Sequence, residues 1–193
     1  LAGLEFREAG LEKKPEEIAL ADGLKGSDSM ESLFAPWRMA YIKNAKKEPG
    51  CIFCLFPAEK DDKKRLILAR GEKVFVIMNA FPYNPGHLMV APYRHVGNYE
   101  ELDDEELLEM HKMASECIKV LKKTMSPQGF NLGVNIGEIA GAGFAGHVHL
   151  HVVPRWAGDT NFMPVTAQVR VLPEALEETW AKLKEAWDEG NGS

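Results

Sequence analysis

Cysteine is scarce in this chain, with three residues among 193, at positions 51, 54 and 117. That is too few for the disulfide framework of small secreted domains, and it points to a reducing, cytoplasmic compartment. A basic excess is missing too. Lys and Arg number 23 against 29 Asp and Glu, a net charge of −6, so the chain has no global attraction for a nucleic-acid polymer. No apolar run approaches the roughly 20 residues of a membrane span, no stretch has the layout of a secretion signal, and no internal repeat is evident. What is present suffices for one core. Hydrophobic residues make up 45% of the 193 positions, and a single domain is expected.

Against that plain background one stretch is unusual: His147-Val148-His149-Leu150-His151-Val152-Val153. Apolar, mostly β-branched residues alternate with the histidines, the pattern of a half-buried strand. Residues at i, i+2 and i+4 of a strand share a face. The three imidazoles therefore line one side, while Val148, Leu150 and Val152 feed the core. Reach argues against a single metal ion holding all three, although a neighbouring pair could share one and leave the third another role. His147 and His151 stand roughly 13 Å apart on a straight strand, whereas zinc–nitrogen bonds are only about 2 Å long. Separate roles are implied: His149 as nucleophile or base, its neighbours orienting it or binding an anion.

Upstream lies Gly137-Glu138-Ile139-Ala140-Gly141-Ala142-Gly143-Phe144-Ala145-Gly146, whose glycines let backbone N–H groups approach phosphate oxygens. Gly141 to Gly146 spells G-x-G-x-x-G, but a dinucleotide fingerprint follows a strand and opens a helix. This one opens the histidine strand, and it lacks a G-K-[ST] ending. A flexible turn without a ligand is the alternative. A second constellation is Cys51-Ile52-Phe53-Cys54. It is compatible with zinc, a redox couple or two buried thiols; Pro49-Gly50 before it reads as a turn and not as a thioredoxin-type junction, and a closed zinc site needs two further ligands.

The periodicity predicts strands at Arg65–Arg70, Val74–Met78, His87–Ala91, Asn131–Ile136 and His147–Val153. Asp103 is placed to cap a long helix, with Glu106 completing a capping box. Leu107, Met110, Met113, Ala114, Cys117, Ile118 and Leu121 form its apolar face, so Cys117 and His111 on it are read as structural. A last helix is expected from Pro173, burying Leu176, Trp180, Leu183 and Trp187, either over the core or at an interface. Glu12–Leu20 reads as a short helix and Gly23–Ser29 as a linker. Five strands and one long intervening helix imply an α+β domain with an antiparallel sheet.

The histidine run resembles the signature of the histidine triad superfamily, His-φ-His-φ-His-φ-φ with φ apolar. The likeness extends to Asn79, Pro85-Gly86-His87-Leu88-Met89-Val90-Ala91-Pro92, His95, Phe130-Asn131-Leu132-Gly133-Val134-Asn135 and Pro154-Arg155-Trp156, covering residues 30–180. Phe34-Ala35-Pro36-Trp37-Arg38 and Asp159-Thr160-Asn161-Phe162-Met163-Pro164 look like the bacterial branch that includes diadenosine tetraphosphate phosphorylases. The resemblance implies a HIT-like nucleotide-binding catalytic domain over residues 30–193, its five-stranded sheet joined across a homodimer. Residues 1–29, with Leu1 first and Met30 opening the family-like portion, are expected to be an upstream extension or an artificially added segment.

By the same analogy His149 attacks the α-phosphorus of an adenine nucleotide and forms a covalent nucleotidyl-histidine, which phosphate or water resolves. His151 contacts the α-phosphate and His87 orients the triad. Asn79, Asn135 and the loop glycines Gly141, Gly143 and Gly146 serve nucleotide binding, while Cys51, Cys54, His95 and His147 hold a structural zinc. No organic cofactor is implied. The first expectation is phosphorolysis of diadenosine tetraphosphate to ADP and ATP. Alternatives are a dinucleoside polyphosphate hydrolase, an adenosine phosphoramidate hydrolase, or a nucleotide-binding interaction protein with little turnover. In one respect the chain departs from many relatives: Phe144 stands where they carry Ser or Thr three residues before the first histidine. A phenyl ring there is expected to limit water and favour transfer over hydrolysis.

Overall fold

The computed structural model describes residues 50–159 and 174–191. The expected helix Glu12–Leu20, the linker Gly23–Ser29, the Phe34–Arg38 motif, residues 160–164 and a helix start at Pro173 lie outside the described residues.

Five strands form one antiparallel sheet. They are β1 (Ile67–Arg70), β2 (Val74–Met78), β3 (Leu88–Pro92), β4 (Gly129–Val134) and β5 (Leu150–Arg155), in the spatial order β1-β2-β3-β5-β4. Among the described residues four α-helices accompany them: α1 (Ile52–Glu59), α2 (Asp62–Arg65), α3 (Asp104–Met125) and α4 (Leu176–Asn191). The expected α+β architecture is present. No helix among the described residues is long and apolar enough to cross a membrane.

Four strands differ in their bounds from the sequence reading. The first strand does not begin at Arg65, because Asp62–Arg65 closes a helical turn capped by Asp61 and left through Leu66 at φ 57°. The third runs Leu88–Pro92 and not His87–Ala91, because His87 N–H still closes the preceding turn onto Asn84 O at 3.1 Å. The fourth runs two residues earlier than Asn131–Ile136, since its pairing with β5 ends at Val134–Leu150. The histidine strand begins at Leu150 rather than His147, although Val148 N–H still donates to Val96 O at 2.7 Å. It continues through Pro154, a residue that cannot donate to a ladder. That is tolerated because β3 flanks β5 only as far as Leu88–Val152, and Pro154 faces Phe130 of β4 alone.

The alternation of strand side chains separates two apolar layers. Leu68, Val76, Val90, Val148, Leu150 and Val152 pack beneath α3 and α4. Ile67, Phe75, Ile77, Met89 and Ala91 face the other way, with Phe53 of α1. His151 pairs with Met89 of β3 and Gly133 of β4, so it belongs to the α1 face. The capping box at Asp103 and Glu106 forms as expected, and Glu106 also receives Arg94 at 2.6 Å. That clasp ties the segment leaving β3 to the head of α3. Helix α4 covers the core, burying Leu183 and Trp187, with Trp180 Nε1–H donating to Ile67 O at 3.0 Å.

Candidate active site and metal centre

The site begins at a turn. Gly86 has φ +75°, and a Cβ there would stand 2.7 Å from Met125 Sδ, so both backbone and packing require glycine. The turn delivers His87, which is fully buried, to the head of β3. Tyr83 N–H donates to His87 Nδ1 at 3.1 Å. Asn79 Oδ1 accepts Phe81 N–H at 2.9 Å, which turns its amide N–H toward the same Nδ1 at 3.3 Å.

These donors fix the tautomers in sequence. With Nδ1 accepting, the proton of neutral His87 is on Nε2, 2.9 Å from His151 Nδ1. His151 must then accept on Nδ1 and carry its own proton on Nε2. That Nε2 is the one buried side-chain nitrogen or oxygen among the described residues with no protein partner. It is a donor aimed at something else. His149 is set the opposite way: its Nδ1 lies 2.8 Å from His147 O. A carbonyl only accepts, so Nδ1 carries the proton and Nε2 keeps its lone pair. Burial holds His149 below the ordinary imidazole range and His151 at about 4, so both are neutral at pH 7. A nucleophilic nitrogen thus stands beside a hydrogen-bond donor, with ring centroids 4.8 Å apart.

Both rings open onto a cleft of about 350 Å³. Ile52, Phe53, Phe56, Leu66, Ile77 and Met89 give it apolar walls, and Lys64, Arg65, Asn79, Gly141 and Gly143 line it along with the two histidines. An apolar slot with a few convergent polar groups is the usual form of a small-molecule site. Phe53 stacks on His149 at 4.7 Å and 27°, and Phe144 packs edge-on to Phe53 at 6.2 Å. Asn135 lies across His151 from this cleft, in a second polar depression, its amide 3.5 Å from Gly141 O. Gly146 is placed elsewhere: a side-chain carbon there would stand 3.9 Å from His95 Nε2, beside the cysteines' partners.

His147 faces away from the cleft. Its Nε2–H donates to Pro92 O at 2.9 Å, leaving the Nδ1 lone pair 3.3 Å from Cys51 Sγ and 3.7 Å from Cys54 Sγ. His95 Nδ1 is 3.4 Å from Cys54 Sγ, and all four donor atoms lie within 4.8 Å of one another. Tetrahedral zinc with bonds of about 2.3 Å to sulfur and 2.0 Å to nitrogen needs sulfur–nitrogen edges of about 3.6 Å. The donor set fits. Burial and the adjacent Cys51 push the Cys54 thiol up to about 11, so its thiolate needs a cation beside it. The spacing comes from α1: Cys51 is its N-cap in extended conformation, and Cys54 lies in its first turn with N–H bonded to Cys51 O at 3.0 Å.

Sequence reasoning missed α1, Phe53 and Tyr83. The Ile-Phe pair inside C-x-x-C was available as a signal for an apolar wall. Tyr83 acts through its backbone N–H, which no side-chain pattern reveals.

The described residues thus define an α+β domain built round a row of histidines with distinct protonation states. A family profile for the HIT domain matches residues 60–158. A Mycobacterium tuberculosis protein named AP-4-A phosphorylase is 39% identical over 173 residues, covering 86% of this chain and 88% of that one. This chain belongs to the histidine triad (HIT) family. Among solved structures, a hypothetical histidine triad nucleotide-binding protein from Sulfolobus tokodaii shares 27% identity at a TM-score of 0.58, over 72% of this chain and 93% of its own. A zinc-bound histidine triad family protein from Mycobacterium smegmatis has the same fold, at a TM-score of 0.60 and 24% identity over 74% and 96% of the two chains.

Proposed function

We propose that this protein is an enzyme that transfers or hydrolyses nucleotidyl groups, and specifically that it phosphorolyses diadenosine tetraphosphate to ADP and ATP. The observation that carries the chemistry is the opposed protonation of two neighbouring rings, His149 Nε2 bare and His151 Nε2 protonated. The bare nitrogen attacks the α-phosphorus, and the bond from phosphorus to the bridging oxygen of the leaving polyphosphate breaks. A phosphate oxygen then attacks the nucleotidyl-histidine, the phosphorus–nitrogen bond breaks, and neutral His149 returns. His151 Nε2–H donates to the α-phosphate oxygen as charge develops there. The nucleoside lies against the apolar walls of the cleft with its ribose toward Asn79, and Gly141, Gly143 and Asn135 border the phosphates. His87 holds His151 in its donor form. The kinship with the M. tuberculosis phosphorylase supports phosphate as acceptor, and Phe144, packed beside Phe53, supports exclusion of water.

Cys51, Cys54, His95 and His147 would hold zinc with four protein ligands, a closed site that supplies structure rather than an open coordination position. His147 therefore serves the site through its carbonyl, which orients His149, and not as a base. The outer edge of β4, where Leu132 is 46% exposed, supports a homodimer joined strand to strand. Residues 1–29 as a separate extension and a cytoplasmic location belong to the same proposal.

The test is product analysis of diadenosine tetraphosphate with and without inorganic phosphate, beside a His149→Ala control. Phosphate-dependent ADP plus ATP supports the proposal. AMP plus ATP without phosphate identifies an asymmetric hydrolase instead, and two ADP without phosphate contradicts attack at the α-phosphorus. Equal turnover by the His149→Ala protein overturns the mechanism.

A further inference from the structure

Beyond the nucleoside cleft, the same sheet face carries a second depression of about 350 Å³, which shares Tyr83 and His151 with the first. Its floor is the pair β4–β5, with Asn131, Gly133 and Asn135 at alternate positions opposite the line of His151, Val153 and Arg155. Three features mark it as made for an anion. In a chain of net charge −6, no carboxylate is among the described residues that line it. Arg155 is paired with Asp159 through two of its nitrogens, so its charge is balanced there, and its third nitrogen donates to Asn131 Oδ1 at 2.7 Å. That bond turns the Asn131 amide N–H groups away from Arg155, leaving them to donate elsewhere. Finally, the strand position paired with His151 is Gly133, where a Cβ would meet nothing within 4 Å. Bare backbone therefore continues the path away from the His151 Nε2 donor.

We infer that this trough is the subsite for the polyphosphate end of the leaving nucleotide and, in the second half-reaction, for inorganic phosphate. The inference rests on the function proposed above. With the α-phosphate at His149 and His151 and its nucleoside in the apolar cleft, the remaining phosphates have a route over Gly133 toward the Asn131 amide, beside the Arg155–Asp159 ion pair. His151 and Arg155 are four residues apart on β5, roughly 13 Å, long enough for an extended chain of several phosphates. The acceptor phosphate must attack from where the leaving oxygen departed, because each half-reaction is the other run backward on the same histidine. One trough serves both.

The experiment uses two variants of the full chain. Gly133→Val fills the trough with a residue that suits a strand and meets open space. Asn131→Asp keeps a partner for Arg155 but places a carboxylate in the path. Binding is measured calorimetrically with AMP and with ATP, and turnover with diadenosine tetraphosphate and with adenosine 5′-phosphoramidate, which has no polyphosphate to leave. Each variant is expected to lose at least tenfold more affinity for ATP than for AMP, and at least tenfold more kcat/KM on the tetraphosphate than on the phosphoramidate. The KM for phosphate should rise in parallel. Equal losses on both members of each pair, or no loss, overturn the trough assignment. If both variants show the expected loss of ATP over AMP affinity but the wild-type protein turns over neither substrate, the proposed function is overturned and the trough stands as a polyphosphate-binding site.

Discussion

Replacing His87 by alanine tests the tautomer relay most directly. The wild-type ring accepts Tyr83 N–H at 3.1 Å and stands 2.9 Å from His151 Nδ1, in a position with no solvent exposure. Without it, a buried N–H and a buried ring nitrogen lose their partners, each at about 1–3 kcal/mol. Taking about 3 kcal/mol in total, the melting temperature should fall by about 6–12 °C for a chain of this size. Activity should suffer differently. His151 is no longer compelled to carry its proton on Nε2, and removal of a preorganised donor costs about 10²- to 10³-fold in kcat at the limit. Because the donor is misplaced in only part of the population, about 10- to 100-fold is expected, with AMP affinity changed far less. Nitrogen-15 NMR of the imidazoles reads the cause: His151 protonated on Nε2 in the wild type and on a mixture of nitrogens in the variant. His87→Gln, whose amide N–H can still donate to His151, should recover part of kcat. The reasoning is refuted if wild-type His151 carries its proton on Nδ1, or if His87→Ala keeps full kcat.

Three further outcomes are expected. Protein purified without chelator should contain one equivalent of zinc, and Cys51→Ser should lose it along with about 4 kcal/mol of stability when free metal exceeds its Kd a thousandfold; kcat should fall too, since Phe53 and His147 both hold His149, and metal analysis showing none would remove the site. Burial keeps His151 neutral down to about 4, so between pH 6.5 and 4 the unfolded chain binds the extra proton; stability should be whole above pH 6.5 and drop by roughly 1.4 kcal/mol per pH unit below it, with a shallower slope in His151→Asn measured by urea denaturation. Phe144→Ser should raise the ratio of AMP to ADP formed from diadenosine tetraphosphate in the presence of phosphate, and an unchanged ratio would leave water exclusion to other groups.

Features that depend on neighbours along the chain are legible in the sequence. The alternation of His147, His149 and His151 with Val148, Leu150 and Val152 dictates a strand with two unlike faces, and the core does take the three apolar residues. Asp103 and Glu106 cap α3 because both bonds form within one turn. The G-x-G-x-x-G run differs from a dinucleotide motif because it leads into the histidine strand and not into a helix. Resemblance, not spacing, brought Cys51 and Cys54 together with His95 and His147, and the structure gathers those four donors within 4.8 Å.

Features that depend on groups far apart in the chain needed the folded molecule. Strand ends are such a case: β5 starts at Leu150 and runs to Arg155 because its partners in β3 and β4 lie there. The choice between core and interface for the two tryptophans of α4 went to the core through Trp180 and Ile67, 113 residues apart. The proton positions were the least legible. A free imidazole has no strong preference between its two nitrogens, so Tyr83 N–H, through His87, assigns the proton to His151 Nε2. His147 O assigns the lone pair to His149 Nε2, and Pro92 O turns the His147 lone pair to the cysteines, each of the three a backbone group. Backbone groups are common to every residue and invisible in a sequence pattern. Only folding brings them to the rings whose chemistry they set.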